Sequence, residues 1–389
     1  MGNTLIVATT SYAGMGPYVA NIVNCFNPDD PIYYFFCDYQ DCFFKHNIKQ
    51  SLHEKSFFIS IPNTIVHKLR DLLPIKKEYH KYVERFCLEK EIKTVHFING
   101  PGDRKLVADL QRKHIRSVST VHDLHPHESK KEWYKELRFK IINYYLYKNL
   151  PYSDYLITNS KFQFKELVSK YGDDKNFFHS FPSLVTDIIA NGRKVPAEIS
   201  GLTYPFILFF GRIEEYKGIS ILLSAFLSDE EINKKYKLVI AGGGSLNNDD
   251  TDIVIKNKNI IFVNRYIEDS EVAYLYQHAK CVVYPYISAT QSGVFSLAYY
   301  FKTPVVASDV DYFKGIIEES KSGCVFKKGS VDDLKEKLSI VLKVDQKDSV
   351  EKGRSYYDTF FANQSLRNAL MDIYRIVGKN SIAFWQSNI

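Results

Sequence analysis

The sequence predicts an α/β protein made of two doubly wound domains, each a parallel sheet with helices on both faces. Three observations lead there. Short, nearly continuous apolar runs alternate with helix-length segments along most of the 389 residues, the pattern of parallel strands buried on both faces. That length exceeds what one hydrophobic core usually serves. A polar stretch, "ANGRKVPAEISGLTYP" (Ala190–Pro205), interrupts the alternation near the middle.

In the first half the strand-like runs are "TLIVATT", "PIYYFFCDY", "TVHFING", "SVSTVHD" and "DYLITNS". After the polar break come "FILFFGR", "KLVIAGG", "NIIFVNR", "CVVYPY", "TPVVASD" and "GCVF". The expected division is therefore 1–192, 193–375 and a short tail, 376–389. The last helix is expected over about Ser365 to Val377, and Phe384 and Trp385 beyond it should fold back, most naturally on the N-terminal domain. Two Rossmann-like domains of this kind are expected to face each other across a cleft. Ligands of open α/β sheets bind beyond the carboxyl ends of the strands, so the informative residues should follow strands.

Composition excludes several classes. With 45% hydrophobic and 25% charged residues the chain is an ordinary globular one, neither fibrous nor disordered. Cys25, Cys37, Cys42, Cys87, Cys281 and Cys324 show no C-x-x-C pair and no zinc-like spacing, and no secretory leader is read, so a cytoplasmic protein is expected. No apolar run is long enough to span a bilayer. The formal charge of +6 lies in residues 1–200, which hold 28 Lys+Arg against 22 Asp+Glu, while the remainder holds 23 of each. That asymmetry fits a solvated surface, or an anionic acceptor or the inner face of the cell membrane near the first domain. The aromatic, basic segment "KKEWYKELRFKIINYYLYKNL" (Lys130–Leu150) reads either as a helix packed on a core or as one lying on an anionic membrane.

Candidate binding residues follow strands. Arg212 and Lys217 sit between "PFILFF" and a helix starting near Ile219, where both can reach one anion, a diphosphate for preference; the competing reading pairs them with Glu214 and Glu215. The turn Ala289–Gly293 ends another strand. There Ser292 and Gly293, with Val294 opening a helix, can present backbone N–H groups to phosphate, and Thr290 and Gln291 can bond a sugar hydroxyl. Two charge-assisted bonds and a helix end supply only roughly 3–7 kcal/mol before the cost of association. Further contacts are needed, and Gly242 in "VIAGGGS" with Tyr266 and Ile267 in "VNRYIED" are placed to line a nucleoside pocket.

In the first half, Gly14 and Gly16 follow strand one, but Tyr18 and Val19 occupy the later places of a dinucleotide fingerprint. Close backbone approach to a ligand is what remains. "STVHDLHPHES" places His122 directly after a strand, where an imidazole can polarise a substrate hydroxyl; a purely structural histidine is the other reading. His122, Asp123, His125 and His127, and separately Asp309 and Asp311, are the only hints of a cation site. Neither has metal-binding spacing elsewhere to complete it, so no metal is expected.

Together "GRIEEYKGISILLSAF", "LVIAGGG", "PYISATQSGVFSLAYYFKTPVVASDV" and "TVHDLHPH" resemble retaining glycosyltransferases of family 4, which have the GT-B fold. The resemblance covers most of the C-terminal domain. It implies that Arg212 and Lys217 hold the diphosphate of a nucleotide sugar and that His122 lies beside the transferred sugar and the acceptor. One departure stands out. The family's two glutamates, eight positions apart, fall here on Ala289 and Leu297, as in a subgroup with an "ATQSGV" loop; sugar contacts would then come from Thr290, Gln291 and the amides of Ser292 and Gly293. The implied activity is sugar transfer with retained configuration from a nucleotide sugar to a glycan or lipid-linked glycan, in bacterial O-antigen or capsule synthesis, with no cofactor, no metal and no nucleic acid. The alternatives are a nucleotide-sugar epimerase of the same shape, or a binder without catalysis.

Overall fold

The computed structural model describes residues 2–11, 15–39, 42–61, 78–122, 124 and 148–386. Gly14, Asp123, His125, His127 and nearly all of the segment 130–150 lie outside them. The chain forms two compact units, Met1–Pro182 with Asn363–Ile389, and Ser183–Ala362.

The first unit contains a seven-stranded sheet in the order β3-β2-β1-β4-β5-β6-β7. Its strands are β1 Asn3–Ala8, β2 Ile32–Tyr39, β3 Ser56–Ile61, β4 Ile92–Phe97, β5 Arg116–Val121, β6 Tyr155–Thr158 and β7 Asn176–Phe178. The second holds β8 Phe206–Phe210, β9 Lys237–Ala241, β10 Ile260–Val263, β11 Ala279–Tyr284, β12 Val305–Ser308 and β13 Cys324–Phe326, ordered β10-β9-β8-β11-β12-β13. Every neighbouring pair is parallel. Each sheet therefore reverses its winding once, between β1 and β4 and between β8 and β11, and the loops leaving those strands flank the crevice where doubly wound sheets take ligands.

Burial explains the uninterrupted apolar strands. Ile207, Leu208, Phe209, Val282, Val283 and Val306 are fully buried, with helix Ile219–Ser228 contributing Leu222, Leu223 and Phe226 to the same core. The unit boundary falls at Pro182/Ser183 rather than after residue 192, because residues 186–199 are packed on the second unit. Ile189 and Ile199 enter its core, and the Lys194 amide donates to the Ser270 carbonyl at 3.0 Å. The second boundary moves as well, from 375 to Ala362/Asn363. Helix Asn363–Gln386 is longer than the sequence implied, and it places Leu366, Leu370, Ile373, Tyr374 and Val377 in the core of the first unit. Arg367 of that helix binds the nearly buried Asp30 carboxylate, with Nε 2.8 Å from Oδ2. The side chains of Phe384 and Trp385 lie outside the described part. Among the described residues no helix is long and apolar enough to cross a membrane.

The first unit buries three imidazoles, His80, His96 and His179, and the last two bear on its acid stability. His96 lies between the Tyr374 hydroxyl at 2.7 Å and Thr120 Oγ1 at 2.8 Å, and His179 lies against Asn159 Nδ2 at 3.1 Å and the Ser180 carbonyl at 2.8 Å. Burial depresses His96 to about 3 and His179 to about 4. Both are neutral when folded, whereas an unfolded histidine takes up its proton near 6.5. Stability from these two groups is complete above about pH 6.5 and is lost as pH falls from there towards 4, at up to about 1.4 kcal/mol per pH unit for each. The midpoint of thermal unfolding is expected to fall between pH 7 and 4.5, and to fall less in His179→Gln. An equal fall in the variant would assign the acid sensitivity to other groups.

A candidate anion site in the C-terminal unit

The two loops that flank the β8/β11 crevice are joined to each other. After β8 the chain runs Gly211 to Gly218 into helix Ile219–Ser228. Gly218 adopts φ +66°, and a Cβ there would stand 1.9 Å from the Pro285 carbonyl oxygen. The Ile287 amide donates to the Tyr216 carbonyl at 2.8 Å. On the other side Gly242, at φ +149°, lets the β9 loop touch the Gly211 carbonyl, which a Cβ would meet at 1.9 Å. The sequence reading took Gly242 for a nucleoside contact; its lack of a side chain is accounted for by this backbone approach. Gly218→Ala combines a left-handed conformation with a backbone clash and is expected to cost about 1–3 kcal/mol, read as a lower denaturant midpoint together with weaker pyrophosphate binding. A midpoint unchanged from wild type would contradict this account of the loop.

Two cations stand on this frame in different states. Arg212 is 73% exposed and pairs with Glu214 at 3.0 Å, the arrangement that was the competing reading. Lys217 is half-buried, and its ammonium lies 3.8 Å from the Tyr286 ring centroid and 4.8 Å from that of Tyr216. Burial pulls its pKa down, and the neighbouring Tyr286 and Tyr216 more than offset that, leaving it above the usual lysine value. Lys217 is fully charged at neutral pH.

After β11 the turn is organised by where its carbonyls go. The hydroxyls of Tyr284 and Tyr276 donate to the Val294 carbonyl at 3.0 and 3.3 Å. Tyr312 Oη donates to the Ser292 carbonyl at 3.3 Å, and Ser296 Oγ to that of Gly293 at 2.8 Å. Three successive carbonyls are thereby held by the protein. Among the described residues the amides of Ser292, Gly293 and Val294 donate to no protein acceptor, which is the arrangement a bound anion requires. Phe295–Tyr300 has only six residues, so its dipole adds less than the sequence reading gave it and the amides themselves must supply the attraction. Thr290 and Gln291 are half-buried in the same turn, with Gln291 Oε1 buried and unpartnered among the described residues. Leu297 is in the core, so the place where the resemblance would put a second glutamate is an apolar packing position.

Ile267 is buried, whereas the Tyr266 ring is 78% exposed and its hydroxyl reaches Asp269 at 3.3 Å. What positions this loop is Arg265, which the sequence reading missed. Its guanidinium donates to both oxygens of Glu198 at 2.8 and 2.9 Å and to both of Glu271 at 2.7 and 3.1 Å. Asp309 and Asp311 serve the fold: the Asp309 carboxylate accepts the Lys328 amide at 2.8 Å and Asp311 opens helix Asp311–Ser320. Among the described residues no group of three potential ligands is placed to hold a metal.

In the first unit the same pair of loops is bridged by Asn99. Its Oδ1 accepts the Thr9 amide at 2.6 Å and its Nδ2 donates to the Thr10 carbonyl at 3.2 Å. Gly16 faces Phe43, whose ring a Cβ would approach to 2.9 Å, so its smallness serves packing. His122 leaves β5 half-buried, with Nε2 donating to the Ile98 carbonyl at 2.8 Å and its ring 4.8 Å from that of Tyr18, nearly perpendicular. Gln163 holds its backbone by donating to the His122 carbonyl at 3.1 Å.

Residues 194–355 match the family model described as glycosyl transferases group 1. No curated protein matches the sequence closely enough to count as a relative. Solved structures are similar over almost the full length. A glycosyltransferase from Rickettsia africae has TM-score 0.71 at 14% identity, over 97% of this chain and 99% of that one. Sucrose-phosphate synthase from Thermosynechococcus elongatus has TM-score 0.68 at 16% identity, over 96% and 98%. Anabaena HepE in complex with UDP-glucose has TM-score 0.64 at 14% identity, over 96% and 100%. The chain thus carries a glycosyl transferases group 1 domain at residues 194–355 and has the two parallel-sheet α/β units of the GT-B fold.

Proposed function

We propose that this protein is a glycosyltransferase that moves a sugar from a nucleotide-diphosphate sugar to a glycan or lipid-linked glycan, with retention of configuration, in the synthesis of a bacterial surface polysaccharide. The observation that carries the reading is the turn Ser292–Val294, its carbonyls held by Tyr276, Tyr284, Tyr312 and Ser296 and its amides left over, joined to the loop that bears Lys217 and Arg212. Charge develops on the departing diphosphate, and fixed donors aimed at developing charge are among the strongest contributions to catalysis. Lys217, Arg212 and the three amides are given that role. Thr290, Gln291, Tyr266 and the Gly242 loop are assigned to the sugar and nucleoside, and His122 to the reacting sugar and acceptor.

Incubation with a panel of nucleoside diphosphate sugars, with UDP sugars first because HepE is described with UDP-glucose, should release nucleoside diphosphate in an acceptor-dependent manner. The anomeric configuration of the product, followed by NMR, tests retention. Binding heat without product would make the chain a binder, and an isomerised donor without acceptor would make it an epimerase. His122→Ala is expected to lower turnover at least tenfold while donor affinity stays within about twofold. Unchanged turnover would remove His122 from the chemistry.

A further inference from the structure

We infer that Tyr286 is a positioning residue for the proposed transfer, its ring face fixing the Lys217 ammonium beside the β8/β11 crevice before any anion arrives. The inference rests on the diphosphate reading of that site. Tyr286 is fully buried, two residues past β11, and its ring centroid is 3.8 Å from Lys217 Nζ. The ring itself has little freedom. It packs edge-on against Phe313 at 5.0 Å and Tyr284 at 6.0 Å, and the Ser308 hydroxyl donates to the Tyr286 carbonyl at 2.6 Å. The backbones of the two partners are fastened together on either side, through the close approach of Gly218 to Pro285 and the bond from the Ile287 amide to the Tyr216 carbonyl.

An ammonium is attracted to the face of an aromatic ring, most strongly where water is excluded. A lysine head otherwise explores many rotamers, and restricting it on binding weakens affinity; a head already held by a rigid ring avoids much of that cost. The attraction sets no negative charge beside the ammonium, as an ion pair with a carboxylate would, so its field remains available to an anion. Arg212 offers the contrast, since it lies in solvent against Glu214. The Tyr286 hydroxyl makes no hydrogen bond of ordinary length and angle among the described residues, and whatever it adds beside the ammonium is separated from the ring face by Tyr286→Phe.

The test is titration of the full chain with inorganic pyrophosphate. Tyr286→Phe keeps the face and should leave Kd within about twofold. Tyr286→Leu removes it and should raise Kd about 5- to 30-fold. In a Lys217→Ala background the Leu substitution should add nothing, because it acts through the lysine. An equal loss in both backgrounds, or no loss with Lys217 present, would overturn the inference. Should the Leu variant fail to fold, phenylalanines carrying increasing fluorine at position 286 keep the ring's shape while weakening its face. Affinity should then decline stepwise at an unchanged thermal midpoint, and a flat series would overturn the inference. Pyrophosphate binding that survives Lys217→Ala itself would instead overturn the diphosphate reading, whatever the Tyr286 variants do.

Discussion

Lys217→Ala is expected to raise the Kd for pyrophosphate and for nucleoside diphosphates about 10- to 150-fold, the equivalent of one hydrogen bond between charged groups. Turnover should fall further, by about 10²- to 10³-fold, because a donor aimed at developing charge is worth more in the transition state than in the ground state. Arg212→Ala should have the smaller effect on affinity. Its guanidinium is 73% exposed and must give up Glu214 to serve an anion, and exposed charges are screened by solvent. Lys217 is half-buried against two tyrosines, and among the described residues no carboxylate pairs with it. Calorimetric titration of the two single variants checks the order, with thermal unfolding run alongside to show that both remain folded. A larger loss of affinity for Arg212→Ala than for Lys217→Ala would place the principal phosphate contact on the exposed residue and move the site outward.

The central strands were legible because burial on both faces leaves no room for polar alternation: "FILFF" and "CVVY" have one plausible reading. Strands β3 and β7 escaped. Both lie at sheet edges, where "SFFISI" is largely half-exposed and "NFF" is three residues long, too little for periodicity to register. The domain boundary was misread for a related reason. The polarity of 190–205 marks a break in the alternation, but a surface segment is polar whether or not it is packed, and its attachment to the second unit depends on Ile189, Ile199 and the bond from Lys194 to Ser270. Arg212, Lys217 and the Ser292 turn could be chosen from the sequence because they follow strands. That Tyr276, Tyr284 and Tyr312 converge on the carbonyls of that turn could not, since the three come from a helix, a strand and another helix that only the fold brings together.

Arg265→Ala should strongly destabilise the second unit, by about 3–5 kcal/mol. The reason lies in Glu271, whose side chain is only 2% exposed and whose two oxygens both accept from Arg265. Removing the guanidinium leaves that carboxylate buried, with the Glu268 amide at 3.0 Å and a distant Lys194 ammonium at 3.9 Å as its remaining support. An uncompensated buried charge costs far more than the net worth of the pair that neutralised it. The second fork, to Glu198, is more exposed and contributes less energy, but it fastens the turn Ala197–Ile199 to the loop after β10. Arg265→Lys should recover only part of the loss, because a single ammonium cannot serve two carboxylates in parallel forks. Hydrogen exchange of the full chain distinguishes local from general damage: amides of β9, β10 and helix Asp269–His278 should lose protection while those of β1 and β4 keep theirs. Arg265→Ala/Glu271→Gln, which removes the stranded charge, should regain a large part of the stability. Failure of that double variant to do so would mean that the loss came from the Glu198 fork and its turn rather than from a buried carboxylate.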